Sequence, residues 1–433
     1  MRRYYFFILT ALFSALFIQA ASKERPDHNQ AGSQQMAYPI PAYGIPELSP
    51  SPEGYVPFHM EHYGRHGSRW LLNAKDYQRP VDTLAKADSL GKLTPRGQLL
   101  LSQLTNINQA SKGRLGELTP LGHRQHREIA SRMVSNFPQL FTAGTNVDAK
   151  STVVIRCILS MANEIAELQR LVPGINVTCD ATHVYQPILA YNNTDTVARN
   201  LSKAATKMNG EFNKRHSDHS RFLATVFNDP KYVADSVDEN KIFEGVFDIA
   251  VNVQSHDDQP DLYDLFTEDE LYNQWLIKNA WWYAYAGNSP QNNHRSHWNQ
   301  RVLLRDIIEA ADTAMLSPLR SANLRFGHES IVMPLTVLLE LNDAAYDTDN
   351  IDSLAENWRN FDIFPMASNI QIVFYRPKNS TGCNPDDVLL KVMLNEAEAS
   401  LPLKPVNGNY YRWTDFRKYY TDKLDSFSTR FEE

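Results

Sequence analysis

The sequence predicts an α/β protein with an open sheet of mixed and parallel strands, flanking helices and a smaller α-helical insertion. Three short runs of apolar or β-branched residues, at 55–62, 151–157 and 322–327, each lead to an arginine or a histidine. Residues 182–301, between the second and third runs, are mostly helical in pattern with polar loops. Strands that alternate with helices are typical of a sheet covered by helices.

The first run, Tyr55–His62, predicts a strand that delivers Arg65 and His66 just past its carboxyl end. Guanidinium groups bind a phosphate monoester bidentately, and an uncharged imidazole attacks phosphorus to form phosphohistidine. The run Arg65-His66-Gly67-Ser68-Arg69 therefore predicts a phosphate pocket, in which Gly67 would let the backbone pass close to the ligand. On the tripeptide alone, an exposed basic turn explains the sequence equally well.

The second run, Ser151–Cys157, is rich in β-branched residues and predicts a strand that ends at Arg156. A helix is expected from about Ser160 to Leu171, because apolar residues recur there at helical spacing. The alternative for Arg156 is a surface residue after a strand.

The third run leads to His328 and Glu329, and residues 331–341 predict a buried helix with Pro334 in its early part. His328-Glu329 begins like the zinc motif His-Glu-x-x-His, but Val332 stands at the second ligand position, so no metal site is predicted. The alternative for His328 is a histidine satisfied at a helix cap.

These three junctions are expected to meet in one crevice. In an open α/β sheet, ligands bind beyond the carboxyl ends of the strands near the switch point. His66, Arg156 and His328 each follow a predicted strand, and separate surface roles for all three would be a coincidence. The residues alone thus predict a single anion site.

The stretch from Arg65 to Tyr77 resembles the first motif of the histidine acid phosphatases, most closely their multiple inositol polyphosphate phosphatase branch. Leu71 stands where many members of the wider family carry proline. Residues 117–122, together with His126, are similar to the family's stretch before a core helix.

Two further segments carry the resemblance. Arg156-Cys157, with Ser160 and Ala162, looks like the middle motif of the inositol polyphosphate branch. His328-Glu329 takes the place of the His-Asp of the acid phosphatases and the His-Ala-Glu of the inositol polyphosphate branch, without the spacer.

The resemblance implies a phosphatase that needs no cofactor and no metal. His66 would be the nucleophile and Glu329 the proton donor, while the oxygens of the phosphoryl group would be held by Arg65, Arg69, Arg156 and His328. The nearby arginines are expected to lower the pKa of His66, since one positive charge disfavours another. The implied substrate is phytate or a related small-molecule inositol polyphosphate.

Three alternatives remain open at this point. A broad-specificity acid or sugar phosphatase would use the same core. A cofactor-dependent phosphoglycerate mutase also has an Arg-His-Gly core, although the N-terminus argues against a cytosolic enzyme. An inactive phosphate- or glycan-binding protein would have kept the pocket but lost the nucleophile or the acid, and His66 and Glu329 are both present.

The N-terminus has the charged, apolar and small-residue order of a secretory signal peptide over residues 1–21, so a periplasmic or secreted protein is expected. An uncleaved anchor is the alternative to removal, but no stable membrane anchor is predicted. Cleavage would remove Arg2 and Arg3 and no acids, which makes the formal net charge of −7 more negative. An acidic exported protein is a poor candidate for nucleic-acid binding.

The predicted organisation after the signal peptide has three parts. A lightly structured lead-in covers 22–55, the catalytic core covers 56–181 and 302–433, and a helical insertion over 182–301 covers the crevice, which agrees with the small α domain of the family that the chain resembles. Two sheet strands are expected at 369–375 and 388–395, before an aromatic C-terminal helix. The sequence does not indicate an oligomeric state.

The sequence also predicts a basic helix face and the state of the three cysteines. Arg199, Lys203 and Lys207 recur every four residues, which predicts one helix face that is either solvated or a rim for extra phosphate groups. Cys157 is expected to be a buried free thiol, and if a disulfide exists it joins Cys179 and Cys383.

Overall fold

The computed structural model describes residues 25–39, 46–189, 195–380 and 383–431, so the predicted signal peptide over 1–21 lies outside the described residues. Its described part contains one mixed sheet in the order β3-β2-β4-β1-β5-β6-β7, with β8 paired to β6. The strands are β1 Tyr55–Arg65, β2 Asn146–Ser151, β3 Asn176–Asp180, β4 Ser321–Gly327, β5 Asn369–Pro377, β6 Leu389–Leu394, β7 Ala397–Ala399 and β8 Tyr411–Arg412.

Strands β1 to β4 are parallel to one another, whereas β5 to β8 pair in antiparallel fashion. This confirms the predicted mixed sheet. The register aligns the carboxyl ends of the central strands, because Arg65 lies opposite Gly327 and Ser151 lies opposite Phe326. Side chains that follow β1, β2 and β4 therefore emerge at one edge.

Helices cover both the sheet and its carboxyl edge. They are α1 Ala74–Ser89, α2 Pro95–Ser111, α3 Pro120–Asn136, α4 Ile155–Leu171, α5 Gln186–Leu189, α6 Thr196–Ala205, α7 Gly210–Arg215, α8 Ser220–Val226, α9 Pro230–Ser236, α10 Glu239–Val253, α11 Glu268–Ala286, α12 Arg301–Met315, α13 Glu329–Leu338, α14 Leu354–Asn357, α15 Trp413–Asp425 and α16 Phe427–Phe431. No helix in the described ranges is long and apolar enough to cross a membrane.

The helical layer has a core of its own, separate from the apolar side chains on the two faces of the sheet. Helices α1 and α2 pack against α8 and α10, and Leu100, Phe243 and Trp275 are among the buried side chains of this core. The layer therefore draws on two segments of the chain, one of them before β2, and is not built from residues 182–301 alone.

The second strand lies earlier than the sequence predicted. Strand β2 ends at Ser151, after the alternating buried residues Val147 and Ala149, whereas the β-branched residues that follow form a turn. Arg156 lies in the first turn of α4, which begins at Ile155, and the strand predicted to end there was wrong. Arg156 still lies near His66 and His328, because α4 starts at the same edge of the sheet.

The predicted lead-in also differs from the expectation. Residues Gln30–Gln35 form a 3₁₀ helix in which Ala31, Gly32 and Ser33 are buried. This segment contacts α10 and α11, so it is part of the packed structure and not a loose tether.

All three cysteines are free thiols, and Cys157 is buried as predicted. Cys179 lies on the edge strand β3, whereas Cys383 follows β5, and three strands separate β3 from β5. Adjacent strands lie about 4.8 Å apart, so the two strands are much farther apart than the roughly 7 Å that a disulfide tolerates between Cα atoms. The suggested Cys179–Cys383 pairing was wrong.

The structure predicts that stability falls in acid. Burial lowers the pKa of His62 and His297 from the usual 6.5 to about 3. Below pH 6.5 the unfolded chain binds protons that the folded chain does not, so the free energy of unfolding should fall by about 1.4 kcal/mol per pH unit for each such histidine. The thermal unfolding midpoint at pH 7, 6 and 5 measures this loss.

His297→Gln should weaken that pH dependence, because the variant has no group to protonate at this buried position. His183→Gln is the matched control, since His183 is exposed. Equal slopes in the wild type and His297→Gln would contradict the interpretation.

Candidate active site

Main-chain hydrogen bonds fix the loop that follows β1. The Arg65 amide donates to Ser368 O at 2.8 Å, and the His66 amide donates to Gly327 O at 3.0 Å. The His66 carbonyl accepts from the Ala367 amide at 2.9 Å. The two residues are thus held between the end of β4 and the start of β5.

The contacts of His66 define its tautomer. Its Nδ1 lies 2.9 Å from Gly67 O, and a carbonyl only accepts, so Nδ1 carries the proton. The Nε2 atom is buried, has no hydrogen-bond partner among the described residues and lies 3.6 Å from Glu329 Oε2. Burial lowers the pKa of His66 well below its usual 6.5; Glu329 opposes this shift, while Arg156 and Arg65 reinforce it. The imidazole is therefore neutral, with a lone pair on Nε2.

Three arginines surround this imidazole with N–H groups that are not all satisfied. Arg65 Nη1 donates to two carbonyls, and Arg69 Nη1 donates to Trp70 O at 2.9 Å. Within the described residues, Arg65 Nη2, Arg69 Nε and Arg156 Nε are buried without hydrogen-bond partners. Buried N–H groups of this kind are costly, so their convergence indicates an anion-binding site.

His328 occupies the N-cap position of α13, where its side chain makes no capping hydrogen bond. Its ring centroid is 5.6 Å from that of His66, and Arg156 Nη2 lies 3.4 Å from its Nδ1. Beneath it, Cys157 Sγ donates to Gly327 O at 3.2 Å. Burial lowers the pKa of His328 to about 4, and the neighbouring arginines act in the same direction, against Glu329.

A carboxylate oxygen of Glu329 is the anion beside Arg65 in this structure. Oε2 lies 3.2 Å from Arg65 Nε, and the side chain keeps 20% of its surface exposed. Burial alone would raise the pKa of Glu329, but the positive charges of Arg65 and Arg69 hold it well below its usual 4.5. Glu329 is therefore ionised. It occupies the Nε side of the Arg65 guanidinium group, where a phosphoryl group would bind.

His66, His328 and Glu329 offer ligand atoms within 4.8 Å of one another, which is close enough for a metal ion. Arg65, Arg69 and Arg156 act electrostatically on these same groups, and their positive charge opposes a bound cation. The donor set therefore fits an anion better than a metal.

Helices α3 and α4 hold the loop after His66 through side-chain hydrogen bonds to its main chain. Gly67 N donates to Ser160 Oγ on α4 at 3.1 Å, and Ser68 N donates to Gln125 Oε1 on α3 at 2.8 Å. A Cβ atom on Gly67 would lie 2.5 Å from Gly122 O. The glycine thus permits close packing against α3, whereas the sequence suggested that it makes room for the ligand.

The structure brings together six of the predicted site residues: Arg65, His66, Arg69, Arg156, His328 and Glu329. The predicted basic rim is formed by residues on and just after α6. Arg199 and Lys203 are exposed on α6, whereas Lys207 follows the end of the helix in a turn. In the described part of the chain, no hydrogen bond or ion pair joins the rim residues to the pocket, so their role stays a prediction.

Sequence reasoning missed the main-chain acceptors of Arg65, Gln34 O at 2.6 Å and Phe364 O at 2.8 Å. Any residue can supply a carbonyl, so these positions carry no side-chain signal. It also did not assign Gln125, although a polar residue three positions after Gly122 on α3 was a usable signal.

A model of the histidine phosphatase superfamily, branch 2, matches residues 64–395. The chain belongs to this family. Among solved structures, the multiple inositol polyphosphate phosphatase of Bifidobacterium longum in complex with phosphate matches with a TM-score of 0.73 and 17% identity, over 91% of this chain and 98% of that one. The same enzyme in complex with inositol hexasulfate gives a TM-score of 0.71 and 16% identity, with the same coverage.

The phytase of D. castellii matches with a TM-score of 0.64 and 14% identity, over 93% of this chain and 87% of that one. At these identities the likenesses show the fold. No match was found among curated proteins.

The packing of the loop on α3 predicts a severe effect of Gly122→Ala. The new Cβ would lie 2.2 Å from Ser68 O and would force the loop after His66 to move. We expect a loss of about 1–3 kcal/mol of stability, the usual cost of overpacking, and reduced activity. Thermal unfolding and the hydrolysis rate of p-nitrophenyl phosphate measure the two effects.

Gly210→Ala is the matched control, because a Cβ there meets no atom within 4 Å. If both variants behaved like the wild type, the close approach of Gly122 and Ser68 would not constrain the loop.

Proposed function

We propose that this chain is an exported phosphomonoesterase that hydrolyses inositol polyphosphates through a phosphohistidine intermediate. The single observation that carries the proposal is the unpartnered Nε2 of His66, buried and neutral among three guanidinium groups. A nucleophile without a proton, inside a cluster of positive charge, suits attack on a phosphate monoester.

In the first step, His66 Nε2 attacks phosphorus as the bond to the leaving oxygen breaks, and Glu329 protonates that oxygen. Arg65, Arg69, Arg156 and His328 bind the remaining oxygens, whose charge the three arginines offset. In the second step, a water molecule attacks phosphorus, Glu329 accepts its proton, and the N–P bond breaks. Inorganic phosphate leaves, and His66 is regenerated with a neutral ring.

The role of Glu329 requires its pKa to rise when substrate binds, because it is ionised next to Arg65. A phosphoryl dianion takes over the guanidinium groups and places negative charge beside the carboxylate, and both changes raise the pKa of Glu329. The exposed fifth of the side chain gives access to a proton from solvent. Binding of the substrate thus favours the protonated form of Glu329, which is the form that can donate a proton.

The inositol polyphosphate assignment draws support from the sequence motifs and from the family. The structurally similar enzyme of Bifidobacterium longum was solved in complex with inositol hexasulfate. Arg199, Lys203 and Lys207 would bind phosphate groups beyond the one that reacts. Export is proposed on the sequence of residues 1–21.

A second candidate, a phosphatase for less highly charged substrates, is favoured by the side chains around Arg156. A Cβ on Gly116 would lie 3.2 Å from Leu72 Cδ2 and 3.7 Å from Arg156 Nη1, so all three are close neighbours. Leu72 is 45% exposed, and Ile155, which precedes Arg156, is 69% exposed. Apolar side chains at this margin suit a leaving group without further phosphates.

Turnover of phytate, glucose 1-phosphate and p-nitrophenyl phosphate separates the two candidates. Anion-exchange chromatography of the products should show stepwise release of phosphate from phytate, with a higher kcat/KM than for the other two substrates. A preference for glucose 1-phosphate would favour the second candidate.

His66→Ala is expected to abolish turnover of every phosphomonoester, because the His328 ring lies against Arg156 and burial raises the pKa of the Cys157 thiol to about 12, so neither replaces His66 as nucleophile. The wild type, quenched in alkali during turnover, should show a phosphorylated His66 by mass spectrometry. Unchanged thermal unfolding of the variant serves as the control for folding. Substantial activity without His66 would exclude the covalent mechanism.

Glu329→Gln should slow phytate hydrolysis by roughly a hundred- to ten-thousandfold, the usual range for loss of acid–base catalysis. An inositol alkoxide needs a proton, whereas p-nitrophenolate leaves nearly unassisted. Burst kinetics, which isolate the phosphorylation step, should therefore show a far smaller loss for p-nitrophenyl phosphate. The same loss for both leaving groups would mean that Glu329 is not the proton donor.

A further inference from the structure

The guanidinium group of Arg65 is aimed by two main-chain carbonyls. Its Nη1 donates to Gln34 O at 2.6 Å and to Phe364 O at 2.8 Å, and the side chain has no exposed surface. Two acceptors on one nitrogen turn Nε and Nη2 toward the pocket, where Nε meets Glu329 Oε2 at 3.2 Å. One of these acceptors, Gln34, lies upstream of the family match, which begins at residue 64.

The Gln34 carbonyl is itself held in place. Trp282 Nε1 on α11 donates to Gln34 Oε1 at 3.1 Å, and Asn360 Nδ2 donates to the hydroxyl of the preceding Ser33. Ser33 has φ 57° and ψ −125°, a backbone conformation that residues other than glycine rarely adopt. Such conformations persist only where the surroundings enforce them, and they are concentrated at functional sites.

Contacts on either side fasten the rest of the segment. The Gln254 side chain on the end of α10 accepts from the Ala37 amide at 2.9 Å and donates to Asn29 O at 3.3 Å. Met36 O accepts from the Met366 amide at 2.8 Å, and the next amide, that of Ala367, donates to His66 O. The segment is thus bonded to the helical layer, to the turn that precedes β5 and to Arg65.

We propose that residues 29–37 form a positioning element for Arg65, which we call the N-terminal clasp, and that Trp282 acts on phosphate binding through it. The inference rests on the proposed function, because Arg65 matters here only if it binds the phosphoryl group. The clasp touches neither Nε2 of His66 nor the leaving-group side of Glu329. Loosening it therefore weakens binding of the phosphoryl group itself, by the same factor for every leaving group.

Trp282→Phe and Gln34→Leu remove the same hydrogen bond from opposite sides and keep most of the packing. Each variant should weaken binding of inorganic phosphate, measured by isothermal titration calorimetry, by about two- to tenfold, the effect of one hydrogen bond. The double variant should lose no more phosphate affinity than either single variant, because each single change already removes the hydrogen bond. If Trp282→Phe fails to fold, as judged by circular dichroism, Gln34→Leu still tests the clasp.

Trp281→Phe is the matched control. Trp281 is 40% exposed, and its ring stacks on Tyr285 and packs edge-on against Trp282 at 5.1 Å, contacts with an aromatic ring that phenylalanine retains. It makes no hydrogen bond to the clasp in the described residues. It should leave the phosphate affinity unchanged. In the clasp variants, the KM values for p-nitrophenyl phosphate and glucose 1-phosphate should rise by one common factor, while the pH profile of kcat stays that of the wild type.

Calorimetry separates the two ways in which the inference can fail. If the wild type binds phosphate and the variants lose only thermal stability, the clasp is a packing element and the proposed function stands. Unequal changes in the two KM values would also overturn the positioning role. If the wild type does not bind phosphate at all, the proposed function fails and the clasp hypothesis fails with it.

Discussion

Confinement of positive charge around His66 is the constraint on which the rest of the site depends. Arg65 and Arg156 lie close enough to lower the pKa of both His66 and His328, and Arg69 lowers that of His328, although the chain as a whole carries a formal net charge of −7. Guanidinium groups that lose water must be compensated by acceptors, and like charges at this distance repel. Main-chain carbonyls compensate Arg65 and Arg69 in part, and the Glu329 carboxylate lies beside Arg65.

The sheet makes this concentration of charge possible. Strand β4 lies between β1 and β2, so the register sets Gly327 beside Arg65, and His328 follows directly. Below the edge, Arg325 on β4 is bonded to Glu61 on β1 and to Asp306 on α12. This ion network neutralises Arg325, whereas Arg65, Arg69 and Arg156, beyond the strand ends, keep buried N–H groups without partners among the described residues.

The fold class and the six central residues could be predicted because their signal is in side chains. A strand pattern that ends in arginine or histidine predicts a site at a sheet edge, and the motif around His66 predicts that the site binds phosphate. The exact end of β2 was missed, since β-branched residues suit a turn after a strand as well as the strand itself. The contribution of Gln34 was invisible, because a carbonyl is present at every position.

The association of α1 and α2 with the helices after β3 was also beyond the sequence. The pattern of an amphipathic helix predicts that one face is buried, but it does not identify the element that packs against that face. The Cys179–Cys383 pairing failed for a related reason, because distance in space depends on strand order, which the spacing of two residues does not define.

The carboxylate of Glu329 beside Arg65 has a consequence for ligand discrimination. Since it is tethered to the pocket, it competes with any incoming anion at an effective concentration of roughly millimolar or more, independent of the solution. A chloride ion or a simple carboxylate offers the arginines nothing that Glu329 does not already provide. A phosphoryl dianion brings a second charge and additional oxygens for the N–H groups that Glu329 leaves unsatisfied. Glu329 thus acts as an internal competitor for the arginines. An anion with a single charge and few oxygen atoms binds poorly, because it must displace this carboxylate without making additional hydrogen bonds.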